Sequence, residues 1–232
     1  MSLAYVNHSP RNTSLFTVEQ MAKLMSHMSF REYATHTTIA RNPDEMYVLY
    51  IKWGKVRLNI LTDQGKEVTV SALNEGDMLF WDEALKQVTI RTNEPTRIGW
   101  IKQSVLDALL REDPDLASTF VRWQTRMNAL VMMKLRDLLL FGKHGALSAT
   151  LVRLANTYGE TVPDGIRIPV RLTNEELAKF IGATRETVNR MLRSYVAKGV
   201  LSVKGPHIVI HNMAYLKCEH QCLSCPPNIC RT

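Results

Sequence analysis

Two groups of residues in this 232-residue chain have the types and spacing to do chemistry. The first is a set of four cysteines, Cys218-x3-Cys222-x2-Cys225-x4-Cys230, all within the last 15 residues. Thiolates at this density suit a tetrahedral zinc or an iron–sulfur cluster. The spacing leaves both open, beside a tail with an incidental disulfide. Gathered at one end, the cysteines cannot staple the body of the fold. The second group is the run Arg185-Glu186-Thr187-Val188-Asn189-Arg190-Met191-Leu192-Arg193. On a helix, Val188, Met191, Leu192 and Tyr195 share one face, while Arg185, Glu186, Asn189, Arg190 and Arg193 lie opposite. Arginine can bind guanine O6 and N7 with both prongs, and glutamate can accept from cytosine N4. That polar face is chemistry for a duplex groove.

The elements that must position these residues are legible around them. Thr173 with Glu176 three residues on predicts a capped helix start, with Leu172 as the staple before it. Leu177, Phe180 and Ile181 form the apolar face of that helix, Gly182 supplies a turn, and Thr184 caps the next helix. Two short helices around a glycine turn, the second polar near its start, meet the requirements of major-groove entry. Val200-Leu201-Ser202-Val203, a turn at Lys204-Gly205-Pro206 and His207-Ile208-Val209-Ile210 predict a hairpin wing. The candidate DNA-binding set is therefore Thr173, Thr184, Arg185, Glu186, Asn189, Arg190 and Arg193, with double-stranded DNA as the partner.

Upstream, Asp113-Pro114 opens a helix predicted to run from Asp115 to about Phe141, where Gly142 and Gly145 break it. Phe120, Trp123, Met127, Val131, Leu135 and Leu138 recur at three- and four-residue steps, a sustained apolar stripe. Leu130, Met132 and Met133 add material for a second contact, which predicts a homodimer formed along this helix. From Thr37 to Trp100 the text is short strands and turns, a small β-sandwich or barrel, preceded by a helix over 17–29 and followed by one from Ser104 to Leu110. The predicted fold is α+β: an N-terminal β-roll over 1–112, a dimerisation helix over 113–142, a winged helix-turn-helix over 143–211 and a cysteine tail over 212–232.

Charge follows this division. Residues 143–232 hold 12 Lys/Arg and 6 Asp/Glu, a net +6, whereas residues 1–142 hold 17 and 16, a net +1. A basic C-terminal part beside a near-neutral one suits phosphate binding by the former. No apolar run approaches the ~20 residues that span a bilayer, and 1–11 lacks an export pattern, so a soluble, cytoplasmic protein is expected. No glycine-framed nucleophile or phosphate loop is present and the seven histidines are scattered, which argues against an enzyme. A ferredoxin-like electron carrier would account for the tail and leave the 185–193 helix unexplained.

The run Arg185-Glu186-Thr187-Val188-Asn189-Arg190 resembles the recognition helix of the Crp/Fnr superfamily of transcription regulators. That family has a β-roll, a long dimer helix and a C-terminal winged helix in this order. The resemblance implies that Arg185, Glu186 and Arg190 read a half-site like TGTGA, within a TGTGA-spacer-TCACA palindrome, and that RNA polymerase is a partner. Many relatives bind cyclic nucleotide through a Gly-Glu and an Arg-Ser pair. The matching stretch here, Gly76 to Thr89, has no Arg-Ser, so cyclic nucleotide is not expected. Lys134-Leu135-Arg136-Asp137-Leu138-Leu139-Leu140-Phe141-Gly142 and the tail resemble the Bacillus-type Fnr branch, which carries a C-terminal 4Fe-4S cluster. This implies Cys222, Cys225, Cys230 and Asp137 as ligands, Cys218 outside the cluster, and an oxygen-responsive activator of anaerobic respiration and fermentation genes. The alternative is a Crp-like regulator with a structural four-cysteine zinc and a small-molecule effector in the β-roll.

Overall fold

A computed structural model describes residues 11–39, 46–61, 67–81, 88–205, 207–225 and 230. The chain divides into two compact units, Arg11–Asn128 and the part from Ala129 onward.

The first unit opens with α1 (Val18–Ser26), capped by Thr17 and Gln20 in a reciprocal box that satisfies two otherwise orphaned amide donors. Eight strands follow: β1 (Ser29–Tyr33), β2 (Thr38–Ile39), β3 (Tyr47–Trp53), β4 (Lys55–Leu61), β5 (Glu67–Asn74), β6 (Met78–Trp81), β7 (Val88–Thr92) and β8 (Thr96–Lys102). They form two antiparallel four-stranded sheets, ordered β1-β8-β3-β6 and β2-β7-β4-β5. Consecutive strands alternate between the sheets except β4 and β5, which pair as a hairpin within one of them, so the chain rolls more than it meanders. Ile51, Val56, Leu58, Ile90 and Ile98 fill the space between them. A second core gathers Phe16, Leu24, Met78, Leu106, Leu116 and Trp123, under α2 (Gln103–Glu112) and the start of α3 (Pro114–Tyr158). The roll is the β-domain that the strand-and-turn text predicts.

Helix α3 is longer than the sequence pattern suggests, but it is not continuous. Gly142 takes φ +57° and ψ −158°, so one helix ends there and a second carries on to Tyr158. The apolar stripe also divides. Phe120, Trp123 and Met127 pack into the core of the first unit. Beyond them Val131, Met132, Leu135, Leu138 and Leu139 stand exposed, Leu139 at 70%. Met132, Leu135 and Leu139 alternate at three and four residues, the spacing of a helix–helix seam.

In the second unit, β9 (Glu160–Val162), β10 (Gly165–Ile168), β11 (Leu201–Lys204) and β12 (His207–Ile210) make one sheet, ordered β11-β12-β10-β9. Between β10 and β11 in sequence come α4 (Asn174–Ile181) and α5 (Arg185–Ala197), and α6 (Met213–Glu219) follows β12. The core is Leu147, Leu151, Val152, Ile168, Leu177, Val188, Met191, Tyr195 and Ile208. The wing is thus wider than the expected hairpin, because Ile166 and Ile168 give β10 an apolar edge that pairs with β12. Among the described residues, no helix is long and apolar enough to cross a membrane.

Candidate nucleic-acid interface

Helix α4 starts as the sequence predicts. Thr173 Oγ1 accepts from the Glu176 amide at 3.1 Å, and Glu176 Oε2 accepts from the Thr173 amide at 2.8 Å. Gly182 ends the helix at φ +60°, a left-handed turn that favours glycine, and the Ala183 amide closes onto the Ala178 carbonyl. Two residues later Thr184 Oγ1 accepts from the Thr187 amide at 3.2 Å and starts α5. A short, sharply bounded turn of this kind fixes the angle between the helices within a few residues.

Burial then decides which face of α5 is available. Val188, Met191, Leu192 and Tyr195 are buried, and the Tyr195 hydroxyl shares a buried 2.7 Å hydrogen bond with Ser148 on α3. Arg185, Glu186, Arg190 and Arg193 are exposed, together with the capping Thr173 and Thr184. Asn189 is half-buried, and its Oδ1 accepts from Asn174 Nδ2 at 3.4 Å. The seven sequence-predicted residues therefore lie on α5 or at the two helix starts, six of them exposed. Asn174 was missed by sequence reasoning. It sits beside the cap of α4, and nothing in its spacing marks it as a neighbour of Asn189.

The wing carries its own polar network. His211 bonds through Nδ1 to the Asp164 carbonyl at 2.6 Å and through Nε2 to Ser202 Oγ at 2.9 Å. Lys204 Nζ pairs with Asp164 at 3.1 Å, and that hydrogen bond holds the Asp164 carboxyl below its usual range. The β9–β10 turn is tied in this way to the wing strand β11.

Among the described residues, the cysteine tail does not form the metal site expected of it. Cys218 is exposed, and Cys222, Cys225 and Cys230 are half-buried free thiols. Those three border a shallow cleft together with Asp137, Arg136, Arg153 and His220. Asp137 is 2% exposed, but its carboxylate is already engaged. Oδ2 pairs with Arg153, and Oδ1 accepts from Arg136 Nη1 at 3.2 Å. Burial pushes the Cys230 thiol above its ordinary value. Among the described residues, no three His, Cys, Asp or Glu side chains are placed to hold a metal ion. The expected 4Fe-4S ligation by Cys222, Cys225, Cys230 and Asp137 is therefore corrected, and with it the assignment to the Bacillus-type cluster branch and the oxygen-responsive mechanism. The alternative four-cysteine zinc falls on the same finding. Spacing brought cysteines and a carboxylate near one cleft, and two guanidinium groups, Arg136 and Arg153, take the carboxylate.

In the β-roll, residues 82–87 of the stretch weighed for cyclic nucleotide lie outside the described residues, as does Pro206 of the wing turn.

Comparison with known proteins bears on the same region and on the whole chain. Residues 145–219 match the model of the Crp-like helix-turn-helix domain. Over 97% of its length the chain is 34% identical to the anaerobic regulatory protein of Bacillus subtilis (strain 168), covering 98% of that protein. It is 26% identical to the cAMP-activated global transcriptional regulator CRP of Salmonella typhimurium, over 81% of this chain and 91% of the relative. Among solved structures, a variant of CooA from Carboxydothermus hydrogenoformans superposes with a TM-score of 0.73 at 24% identity, covering 84% of this chain and 88% of the other.

Proposed function

The chain belongs to the Crp/Fnr superfamily of transcription regulators, and from that premise we propose that it reads an inverted-repeat DNA site through Arg185, Glu186 and Arg190. The family fixes the coarser statement. This is a DNA-binding, dimeric regulator, not an enzyme, and it works in the cytoplasm with its DNA.

The observation that carries the finer reading is the exposed polar face of α5, clamped from behind by four buried side chains. Arg185 and Arg190 each face a guanine, and Glu186 faces a cytosine on the complementary strand. Asn189, steadied by Asn174, lies between them. Thr173, Thr184 and Arg193 contact the phosphate backbone and set the register without reading sequence. Two copies paired along the exposed leucine seam of α3 present two such helices about one helical turn apart, so the site is TGTGA, a short spacer, then TCACA. RNA polymerase is the second macromolecular partner. On this reading residues 1–112 form the sensor-like domain, 113–142 the dimer helix, 143–211 the DNA-reading domain and 212–232 the tail.

The test is binding of the dimer to this palindrome and to single-base variants at fixed salt. Arg185→Ala is expected to cost roughly 1–3 kcal/mol per half-site and to relax the choice at one base pair. Removing Arg193 instead weakens all sequences alike and flattens the salt dependence. Equal affinity for the palindrome and a scrambled duplex refutes the assigned base readers.

A further inference from the structure

Helix α5 is seated in the C-terminal unit by Val188, Met191, Leu192 and Tyr195, all buried. The first three are apolar, and apolar contact favours burial without favouring a direction. A core of roughly the right volume keeps a helix in place, and it loses a unique setting before it loses stability. For base reading the setting is what counts. Side chains carry the surface of a helix about 5–6 Å from its axis, so a roll of about 10° moves their ends by about 1 Å. A bidentate contact, with two hydrogen bonds of about 2.7–3.2 Å, does not survive such a displacement. Contacts to the phosphate backbone carry no sequence information and need no such aim.

The Tyr195 hydroxyl supplies the direction that apolar packing lacks. It shares a 2.7 Å hydrogen bond with Ser148 Oγ, and the two residues are only 2% and 0% exposed. Ser148 lies on the stretch of α3 beyond Gly142, inside the same compact unit as α5. Other hydroxyls on that stretch behave differently. Thr150 and Thr157 donate back to the carbonyls of Ala146 and Arg153, four residues earlier, a common outlet for a hydroxyl within a helix. Ser148 reaches across to α5 instead. The Tyr195 ring also meets Tyr215 of α6 edge-on, with centroids 6.2 Å apart, and Lys198 Nζ donates to the Tyr215 hydroxyl at 2.7 Å. We propose that Ser148 and Tyr195 are positioning residues for sequence reading: their buried hydrogen bond fixes the roll of α5 about its own axis, and with it the aim of Arg185, Glu186 and Arg190. Both act from behind the helix, without touching DNA. The inference rests on the base-reading assignment above and concerns the C-terminal unit alone.

The test compares the affinity of the full-length dimer for the TGTGA-spacer-TCACA palindrome and for a scrambled duplex, at one salt concentration, in Tyr195→Phe, Ser148→Ala and the two combined. Each single variant is expected to lose about tenfold in preference for the palindrome, the low end of what one bidentate pair contributes. Affinity for the scrambled duplex is expected to stay within about twofold, because phosphate contacts carry it. The double variant is expected to be no worse than either single one, since both substitutions remove the same bond. In nuclear magnetic resonance spectra of the DNA-free protein, the amide signals of residues 185–190 are expected to shift or broaden in both single variants, although they lie more than a helical turn from the lost hydroxyl. Ser148→Ala places a good helix former on a helix, so it reports even where Tyr195→Phe fails to fold. Equal losses on the palindrome and the scrambled duplex, additive losses in the double variant, or an undiminished preference in a folded variant overturn the positioning role. A wild-type protein without preference for the palindrome refutes the base readers. The bond is then judged on the 185–190 signals, which overturn it if they match the wild type.

Discussion

The helix-turn-helix and the cysteine tail occupy the same unit, and each carries a tight group of residues suited to chemistry, but they are built by different kinds of contact. In the helix-turn-helix every determinant is local. Thr173 bonds Glu176, Gly182 turns the chain, Thr184 bonds Thr187, and the polar and apolar faces of α5 follow from its helical period. In the tail the decisive contacts are distant. Arg136 meets Gln221 across 85 residues, and Asn156 meets Cys230 across 74. The comparison teaches that a reading built on partners within a few turns of one another is set by local rules. A ligand set carried over from a resemblance fails when another part of the chain supplies a stronger partner, as Arg153 does for Asp137.

Four measurements would break or sharpen that contrast. The largest effect is expected in the helix-turn-helix core. Leu177 is fully buried, so Leu177→Ala should destabilise the C-terminal unit by about 2–5 kcal/mol. Denaturant unfolding followed by far-ultraviolet circular dichroism reads this directly, and a loss below ~1 kcal/mol would mean that the core tolerates collapse. Next is the cap. Thr184→Ala removes the acceptor for the Thr187 amide and should cost about 1 kcal/mol, with Thr184→Ser restoring most of it.

Smaller again is the expected pH effect at His220. Burial holds its pKa below the ordinary value, and its Nδ1 donates to the Leu216 carbonyl at 2.8 Å, with Asp137, Arg153 and Arg136 as the charges facing it. The unfolded chain therefore binds the proton more readily than the folded one. This contribution to stability is fully present above about pH 6.5 and is lost as pH falls from there toward the folded value. Urea midpoints at about pH 7.5 and 5.5 should differ more in the wild type than in His220→Gln, and equal differences would remove His220 as the cause. The smallest effect belongs to the tail thiols. Cys225 is a half-buried free thiol, so Cys225→Ser should change stability by less than ~0.5 kcal/mol and leave DNA affinity unchanged. A large loss of either would restore the thiols to a structural or functional part.

The exposed polar face of α5 was legible in the sequence, since helix period, caps and the glycine turn are short-range rules that the tertiary fold had no reason to override. The β-roll was legible as strands and turns, but not as two interleaved sheets, because β1 pairs with β8 and β2 with β7 across most of the domain. Asn174 was invisible because its contact with Asn189 depends on how two helices cross. The break at Gly142 was foreseen, whereas the second helix beyond it was not; Gly145, read as a further breaker, is helical.

The sequence alone determined where the capped helices begin, which face of α5 stays polar, and that the second half of the chain is basic, all properties of residues within a turn or two of one another. Only the tertiary structure decided what Asp137 does. A buried carboxylate takes the strongest partner within reach, and folding sets Arg136 and Arg153 against its two oxygens. It also decided which part of the long apolar stripe is core and which is left exposed. Phe120, Trp123 and Met127 meet the first unit, while Val131, Leu135 and Leu138 meet nothing that covers them within the chain's described residues. Periodicity specifies a face, and only packing says what lies against it.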